Sequence, residues 1–400
     1  MKLFHRYSRK LLNYEKEGEI LKAERVELMD ALRGFSLIGI LIANMLHFQF
    51  GASTVEIIES ANVLDQVSYY LVKIIVEGSV YPIFGFVFGY VLLKMVESRE
   101  ALGLKYKNIV FRRAVGLSVL GVMHLMLLWQ GDILFTYGST LFILLLFFLK
   151  RQVKTYFVWG AINAVIALVI LISTNILQLA KPLTAAQIMT YQNGTYGEIL
   201  TQRLNEFMGV DSLATLFILP IILLVIGIFS SLAVSPFVLF GMGMAKKGAF
   251  SQLDNGVRTY KKVALLVPVG LLLKVAIIFD TPFSLFIYTV GQFVLAIGYI
   301  ALFAWLFTRY QTQMKKYFEP IGKLSLTNYL MQTIICTTIF YGYGFGMFGK
   351  LGVFIGILLA IIIYVIQLKM SQLYLKRFSI GPVEMILRWF IYFKNPRKVE

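Results

Sequence analysis

Apolar residues recur along this chain in runs near the length of about 20 residues that a helix needs to cross the hydrocarbon layer, and polar residues collect between them. Ten runs are read, at 31–50, 68–93, 113–131, 133–149, 155–177, 219–244, 262–279, 283–307, 325–343 and 351–368. The third and fourth are short and separated by Asp132 alone, which predicts a tight helical hairpin. Residues 178–218 are polar at first and apolar from Leu213, as expected of an external loop carrying a short helix that leads into the sixth run. The expected fold is all-α. It is a polytopic membrane protein of about ten transmembrane helices over residues 31–368, with a segment 1–30 before them and a tail 369–400 after.

The Lys and Arg positions orient this array. Thirty-three of the 38 fall in six segments, 1–33, 94–113, 150–154, 246–262, 309–323 and 369–400, which alternate with the loops of the other side. Cytoplasmic loops carry the excess of Lys and Arg, so both termini are expected in the cytoplasm. The exceptions are Lys73, Lys181, Arg203, Lys274 and Lys350. The same spread removes the nucleic-acid partner that a net charge of +17 would otherwise suggest, because no single basic patch forms.

Composition agrees. Hydrophobic residues are 58% and charged residues 15%, with mean hydropathy +0.75, an excess of apolar side chains that no soluble interior of this size would hold. Cys336 is the single cysteine, which excludes an intrachain disulfide and a cysteine metal site; no metal is expected. Residues 1–30 are too long and too charged for a cleavable signal peptide. They predict an amphipathic helix on the inner leaflet, with membrane lipids as partners. No internal repeat stands out. The interruption Glu77-Gly78-Ser79-Val80-Tyr81-Pro82 has no counterpart in the second half, which speaks against the paired broken helices of a transporter.

Asp30-Ala31-Leu32-Arg33-Gly34 runs directly into the apolar segment that ends Asn44-Met45-Leu46-His47. On a helix, Asp30, Arg33, Asn44 and His47 fall within a stripe of roughly 100°. A lipid-facing charge is costly, so the stripe is expected to face a protein interior or a wet cavity, as a wall of an active site. Arg113 and His124 repeat the offset of Arg33 and Asn44, about 16 Å along a helix. Asp132 stands where it can orient either His124 or His47, and a neutral imidazole beside a carboxylate is a general base near neutral pH.

Each of these has a structural alternative. A polar residue in a membrane helix is often glue between helices. For His124 the two readings balance, while the continuous stripe favours function for His47 with Asn44. Lys73 and Glu77 are read as an i, i+4 pair that neutralises itself, Lys274 near Asp280 as a snorkelling pair, and the glycines of Phe84–Gly89 as packing. At the cytoplasmic side, Arg33, Arg112 and Arg113 with Asp30, and the helix start Gly322–Tyr329 with Asn328, form a set suited to phosphate groups. For any one of these arginines alone the anchor of the positive-inside pattern is the favoured reading, and the phosphate reading gains only for the set with Asp30 and Asn328.

Taken together these motifs resemble the YeiB-like membrane proteins catalogued as domain of unknown function 418. The resemblance runs through Asp30-x-Leu32-Arg33-Gly34 with Asn44, Phe84 to Gly89, Arg112-Arg113 with Gly121 and His124, and Asp132-Ile133-Leu134-x-x-Tyr137. It continues through Gly322 to Tyr329 with Gln332, and Gly381-Pro382-x-Glu384 with Arg388. More distantly, the Asp-x-φ-Arg-Gly opening resembles two transmembrane acyltransferase groups, the acyltransferase-three family and heparan-α-glucosaminide N-acetyltransferase. Fourteen residues after the Asp the first typically has histidine and the second asparagine, as Asn44 here. The histidine of this chain is shifted one turn, to His47, which leaves the base open between His47 and His124.

That resemblance implies an acyl-CoA donor, acetyl-CoA in the first instance, with its phosphates at Arg33, Arg112, Arg113, Asp30 and Asn328. It implies His47 or His124 as base, oriented by Asp132, and Asn44 at the oxyanion. The acceptor would be an envelope sugar, lipid or small molecule reaching the site from the outer side of a bacterial plasma membrane. From Arg33 to His47 is about 21 Å of helix, near the reach of an extended coenzyme A arm. The rival reading is a transporter or flippase whose substrate path is the same polar stripe. Assembly into a homo-oligomer is left open.

Overall fold

A computed structural model describes residues 27–53, 58–59, 61–176, 182–208, 214–279 and 281–392. The surface helix expected over residues 1–30 falls outside these up to residue 26, and its last four residues open the first long helix. In chain order the helices are α1 (Glu27–Phe50), α2 (Val63–Leu71), α3 (Tyr81–Ala101), α4 (Lys107–Met123), α5 (Leu134–Phe147) and α6 (Val153–Ile176). Then come α7 (Ala185–Asn193), α8 (Tyr196–Met208), α9 (Ala214–Lys246), α10 (Leu253–Ala264) and α11 (Leu266–Lys274). The last five are α12 (Pro282–Arg309), α13 (Gln311–Lys323), α14 (Ser325–Phe340), α15 (Val353–Tyr374) and α16 (Pro382–Tyr392). A π turn continues α2 over Val72–Val76 and another continues α4 over His124–Leu128.

Every regular element among the described residues is helical. Eight helical runs are long and apolar enough to cross a membrane by length and composition. Of the ten expected runs, two correspond to helices that fall short of this. α5 is apolar but has 14 residues, and α14, with 16, carries buried Asn328, Gln332, Thr333 and Thr337. Residues 178–218 hold two short helices, α7 and α8, rather than one, and the last apolar helix runs past the expected boundary at 368 to Tyr374.

α1 is the central helix. Its apolar window is 72% buried, against 11% for the run Leu253–Phe279, and it is flanked by α3, α13, α14 and α15. Glycine makes this packing possible. A Cβ at Gly34 would lie 2.0 Å from the Phe318 carbonyl oxygen, and one at Gly322 1.8 Å from that of Asp30, so α1 and α13 touch backbone to backbone. α3 and α9 cross in the same way at Gly89 and Gly241. Gly89 therefore has the packing role expected of it, and Gly322, read with the phosphate motif, packs as well.

The apolar run Val63–Ala101 is broken over residues 77–80. Gly78 has φ +71°, and a Cβ there would overlap the Gln292 amide. In hydrocarbon, freed backbone groups must find partners inside the protein. Here Lys274 Nζ donates to Glu77 O at 2.6 Å and to Ser79 Oγ at 3.0 Å, while Tyr299 OH donates to Ile75 O and Tyr288 OH to Lys73 O. The snorkelling pair expected of Lys274 with Asp280 is thus corrected. Lys274 is fully buried and turned into the break, because the open carbonyl end of α2 attracts a cation; Asp280 itself lies outside the described residues. Lys73 and Glu77 do form their expected ion pair, at 2.8 Å.

The π turn ending α4 is satisfied in the same manner. Arg203 of α8 donates through Nη2 to Met126 O at 2.6 Å and through Nη1 to Leu128 O, and Tyr196 OH donates to Leu127 O at 2.8 Å. Three of the five cations outside the positive-inside tally, Lys73, Arg203 and Lys274, are therefore engaged within the protein.

Gly34→Ala is expected to lower the stability of the purified protein by about 1–3 kcal/mol, the usual cost of overpacking, read as a fall in its thermal midpoint. Gly197→Ala, whose added Cβ meets nothing within 4 Å, should leave the midpoint unchanged. Equal midpoints for both variants would contradict the close α1–α13 contact.

Candidate functional site

His124 opens the π turn of α4, and Asp132 ends the short connection to α5. Asp132 accepts the Phe135 N–H on Oδ2 at 2.6 Å, closing the first turn of α5. Its other oxygen, Oδ1, then lies 2.9 Å from His124 Nδ1, with the two side chains 0% and 1% exposed. Neither atom makes an aligned hydrogen bond elsewhere, so the contact is an electrostatic one between a carboxylate and an imidazole edge. On the far side of the ring, Nε2 is 2.9 Å from Thr333 Oγ1 on α14. Tyr329, one turn earlier on α14, packs its ring 5.3 Å from the imidazole. Its hydroxyl donates to Gly131 O and accepts from Ile133 N, fixing the strand of chain that carries Asp132.

A second polar group adjoins the first. Asn44 of α1 accepts on Oδ1 from Tyr81 OH at the start of α3. Tyr81 lies within electrostatic range of Glu77 and of Tyr137, and Tyr329 within range of Asp132, Tyr81 and Tyr137. Tyr137 is held by the rings of Phe84 and Phe88, at 5.5 and 4.8 Å. The result is a polar band that joins the His124 turn to the α2–α3 break through the protein interior. His47 stands at the far end of that band. It is exposed, and the charges nearest it are Glu77 and Lys73.

The structure thus separates the two histidines. Asp132 partners His124, while His47 faces the ion pair at the break. Asn44, one turn before His47 on α1, is 5% exposed and accepts from Tyr81.

At the other end of α1, Arg33 Nη1 is 3.4 Å from Asp30 Oδ1. The Arg113 guanidinium sits 5.4 Å over the Phe88 ring, close enough to Arg33 for the two charges to repel, and its Nε is buried without a hydrogen-bond partner. Arg33, Arg113 and Asp30 come together. Arg112 donates to Ile391 O of α16, at 3.2 Å. Asn328 is spent on the α14–α15 seam: its amide donates to Ser371 Oγ and its backbone carbonyl accepts from Gln367, which in turn accepts from Gln332.

The start of α14, expected to suit phosphate, already holds an anion. The Glu384 carboxylate accepts from Leu326 N at 2.8 Å, from Thr327 N at 3.1 Å and from Thr327 Oγ1. The sequence reading does not name Thr333, and it names Tyr81 and Glu384 only within the interruption and the family motif, without the contacts they make here. Thr333 stands four positions after Tyr329, the spacing that puts two residues on one helical face, and that periodicity is the signal that would have found it.

Residues 244–394 match the family model described as Protein of unknown function (DUF418). The chain is 26% identical to the uncharacterized protein YxaH of Bacillus subtilis (strain 168), over 93% of this chain and 95% of that protein. It is also 26% identical to the uncharacterized protein YeiB of Escherichia coli (strain K12), over 91% of this chain and 96% of that protein. No solved structure matches.

Glu384→Ala leaves three donors at the start of α14 without their acceptor and is expected to cost about 2 kcal/mol, read as a lower thermal midpoint. Glu384→Gln, which keeps an acceptor but loses the charge, should fall between it and the parent protein. An unchanged midpoint for Glu384→Ala would remove the capping role.

Proposed function

We propose that this chain, which belongs to the YeiB-like DUF418 family, is an integral membrane acyltransferase. It takes an acyl group from acyl-CoA and passes it to a hydroxyl or amine on an envelope sugar, lipid or small molecule. The observation that carries the reading is the buried His124–Asp132 pair whose free ring nitrogen is engaged by a hydroxyl. An acceptor hydroxyl in the place of Thr333 Oγ1 would meet the atom that can take its proton.

In that arrangement His124 removes the proton as the acceptor oxygen attacks the thioester carbonyl carbon. The tetrahedral intermediate then collapses, the carbon–sulfur bond breaks, and the imidazolium returns the proton to the departing thiolate. The Asp132 carboxylate, 2.9 Å from Nδ1, would favour a proton on that nitrogen and stabilise the imidazolium electrostatically. Asn44 suits the oxyanion: Tyr81 takes its amide oxygen, so its NH2 remains to donate to developing negative charge. Arg33 and Arg113 would hold the donor's phosphates, with Asp30 orienting Arg33. About 16 Å of helix separates Arg33 from Asn44, and likewise Arg113 from His124, within the reach of an extended donor.

The α2–α3 break also resembles the interrupted helices that transporters use to bind ions. Here its open carbonyl is taken by Lys274, a tethered cation, which supports catalysis over ion transport. The bacterial relatives support a plasma-membrane setting.

Acetyl-CoA is expected to raise the thermal midpoint of the purified protein by mass action, and Arg33→Ala to abolish the rise. His124→Ala should lower acyl transfer by about 10²–10⁴-fold, the range for loss of a general base, while His47→Ala should stay within a few-fold of the parent. The reverse order would move the base to His47. No shift with any acyl-CoA at about 1 mM, a concentration that saturates ordinary donor sites, would sink the enzyme reading in favour of transport.

A further inference from the structure

Outside the apolar helices, α7 and α8 form a shallow, widely open cleft of about 920 Å³. Binding sites of this size are ordinarily walled by apolar and aromatic side chains. This one is not: its lining includes Gln187, Thr190, Thr201, Gln202, Asn205 and Glu206, and no aliphatic, aromatic or cationic side chain contributes.

The lining excludes most ligand classes. An acyl chain or lipid tail finds nothing apolar to cover it, and an anion finds no Lys or Arg. A cation finds carboxylates that are already satisfied. Glu206 accepts from Tyr191 OH, Gln187 and Gln202, and the Glu198 carboxylate caps its own helix through the Thr195 N–H and hydroxyl, which hold it below the usual carboxylate range. What remains are uncharged groups with capacity to spare: Gln202 Oε1, the Asn205 amide, and the hydroxyls of Thr190 and Thr201, whose protons go to Ala186 O and Gly197 O and whose oxygens can still accept. The Asn205 side chain makes no hydrogen bond among the described residues, and Tyr196, between the lining residues Thr195 and Gly197, is 41% exposed beside them.

The floor of the cleft rests on the site. Arg203, next to Gln202 and two positions before Asn205 on α8, donates to Met126 O and Leu128 O of the His124 turn. Tyr196 donates to Leu127 O, and Gln130 Nε2 donates to Arg203 O at 3.0 Å. We propose that the α7–α8 cleft binds a neutral, hydroxyl-rich group, in chemical terms a saccharide unit, directly over the turn that carries His124. This rests on the acyl-transfer reading only for the fate of the bound group, which would be the acceptor.

The test titrates maltotriose and chitotriose against the full chain in lipid nanodiscs, free of sugar-based detergent, with ligand-observed NMR. Glucose 6-phosphate and spermidine serve as anionic and cationic probes. The neutral saccharides should bind with Kd of about 1 mM or tighter, and the charged probes about tenfold more weakly. Asn205→Leu and Thr201→Val, both at exposed positions, should each weaken saccharide binding about tenfold, as loss of a hydrogen-bonding partner does, with the thermal midpoint unchanged.

Absence of saccharide signal at about 20 mM, preference for either charged probe, or indifference to both variants would overturn the proposal. Acetyl-CoA stabilisation measured in parallel separates the two readings. Saccharide binding without donor binding keeps the cleft and removes the acyltransferase, and donor binding without saccharide binding does the opposite.

Discussion

Backbone groups released from a helix inside hydrocarbon have no water to bond, and this single constraint explains most of the unusual contacts in the molecule. Two apolar helices end in π turns, and at each the open carbonyls are met by side chains from distant helices. Lys274, Tyr288 and Tyr299 serve the α2–α3 break, and Arg203 and Tyr196 serve the end of α4. Glu384 does the complementary service for the N–H groups that open α14. These contacts are also what position the site. The π turn presents His124 to Asp132, and the capped start of α14 aligns Tyr329 and Thr333 on the opposite side of the ring.

The same constraint gives meaning to the charge distribution. Cations beyond the inner segments would be unfavourable in lipid, yet Lys73, Lys274 and Arg203 all lie where a carboxylate or a carbonyl end compensates them. A polar band therefore joins the His124 turn to the α2–α3 break through the interior, with the Lys73–Glu77 ion pair at one end and Asp132 at the other. Helix contact through paired glycines, Gly34 with Gly322 and Gly89 with Gly241, closes the remaining space with backbone alone.

Much of the architecture was legible in the sequence because it is written locally. Apolar run length, the stripe on α1 and the Lys73–Glu77 pair each depend on residues within a few turns of one another. The hairpin at Asp132 was legible for the same reason, and it brought His124 and Asp132 within reach. The shortness and polarity of α14 were misjudged, since a buried face of Asn328, Gln332 and Thr333 lowers its hydropathy without removing it from the core. The partners that complete the site were not legible. Thr333 lies 209 positions from His124 and Glu384 lies 58 from Leu326, and no periodicity reports which helices will neighbour each other. Lys274 illustrates the physical reason: near the end of an apolar run a lysine ordinarily reaches for the surface, and only a break in another helix turns it inward.

Thr333 has one more consequence in the proposed reaction. With its hydroxyl on Nε2, the imidazole at rest is occupied by a group of the same chemical strength as an alcohol substrate. Exchanging one hydroxyl for another changes the number of hydrogen bonds at the ring by nothing, so an alcohol enters without leaving a buried nitrogen bare. A stray water gains no more there than the threonine already supplies, and it brings none of the contacts of a bound partner. In the proposed reaction, preference for the acceptor over water would then come from the contacts a bound partner makes elsewhere, with Thr333 holding the imidazole at rest and taking no part in the chemistry.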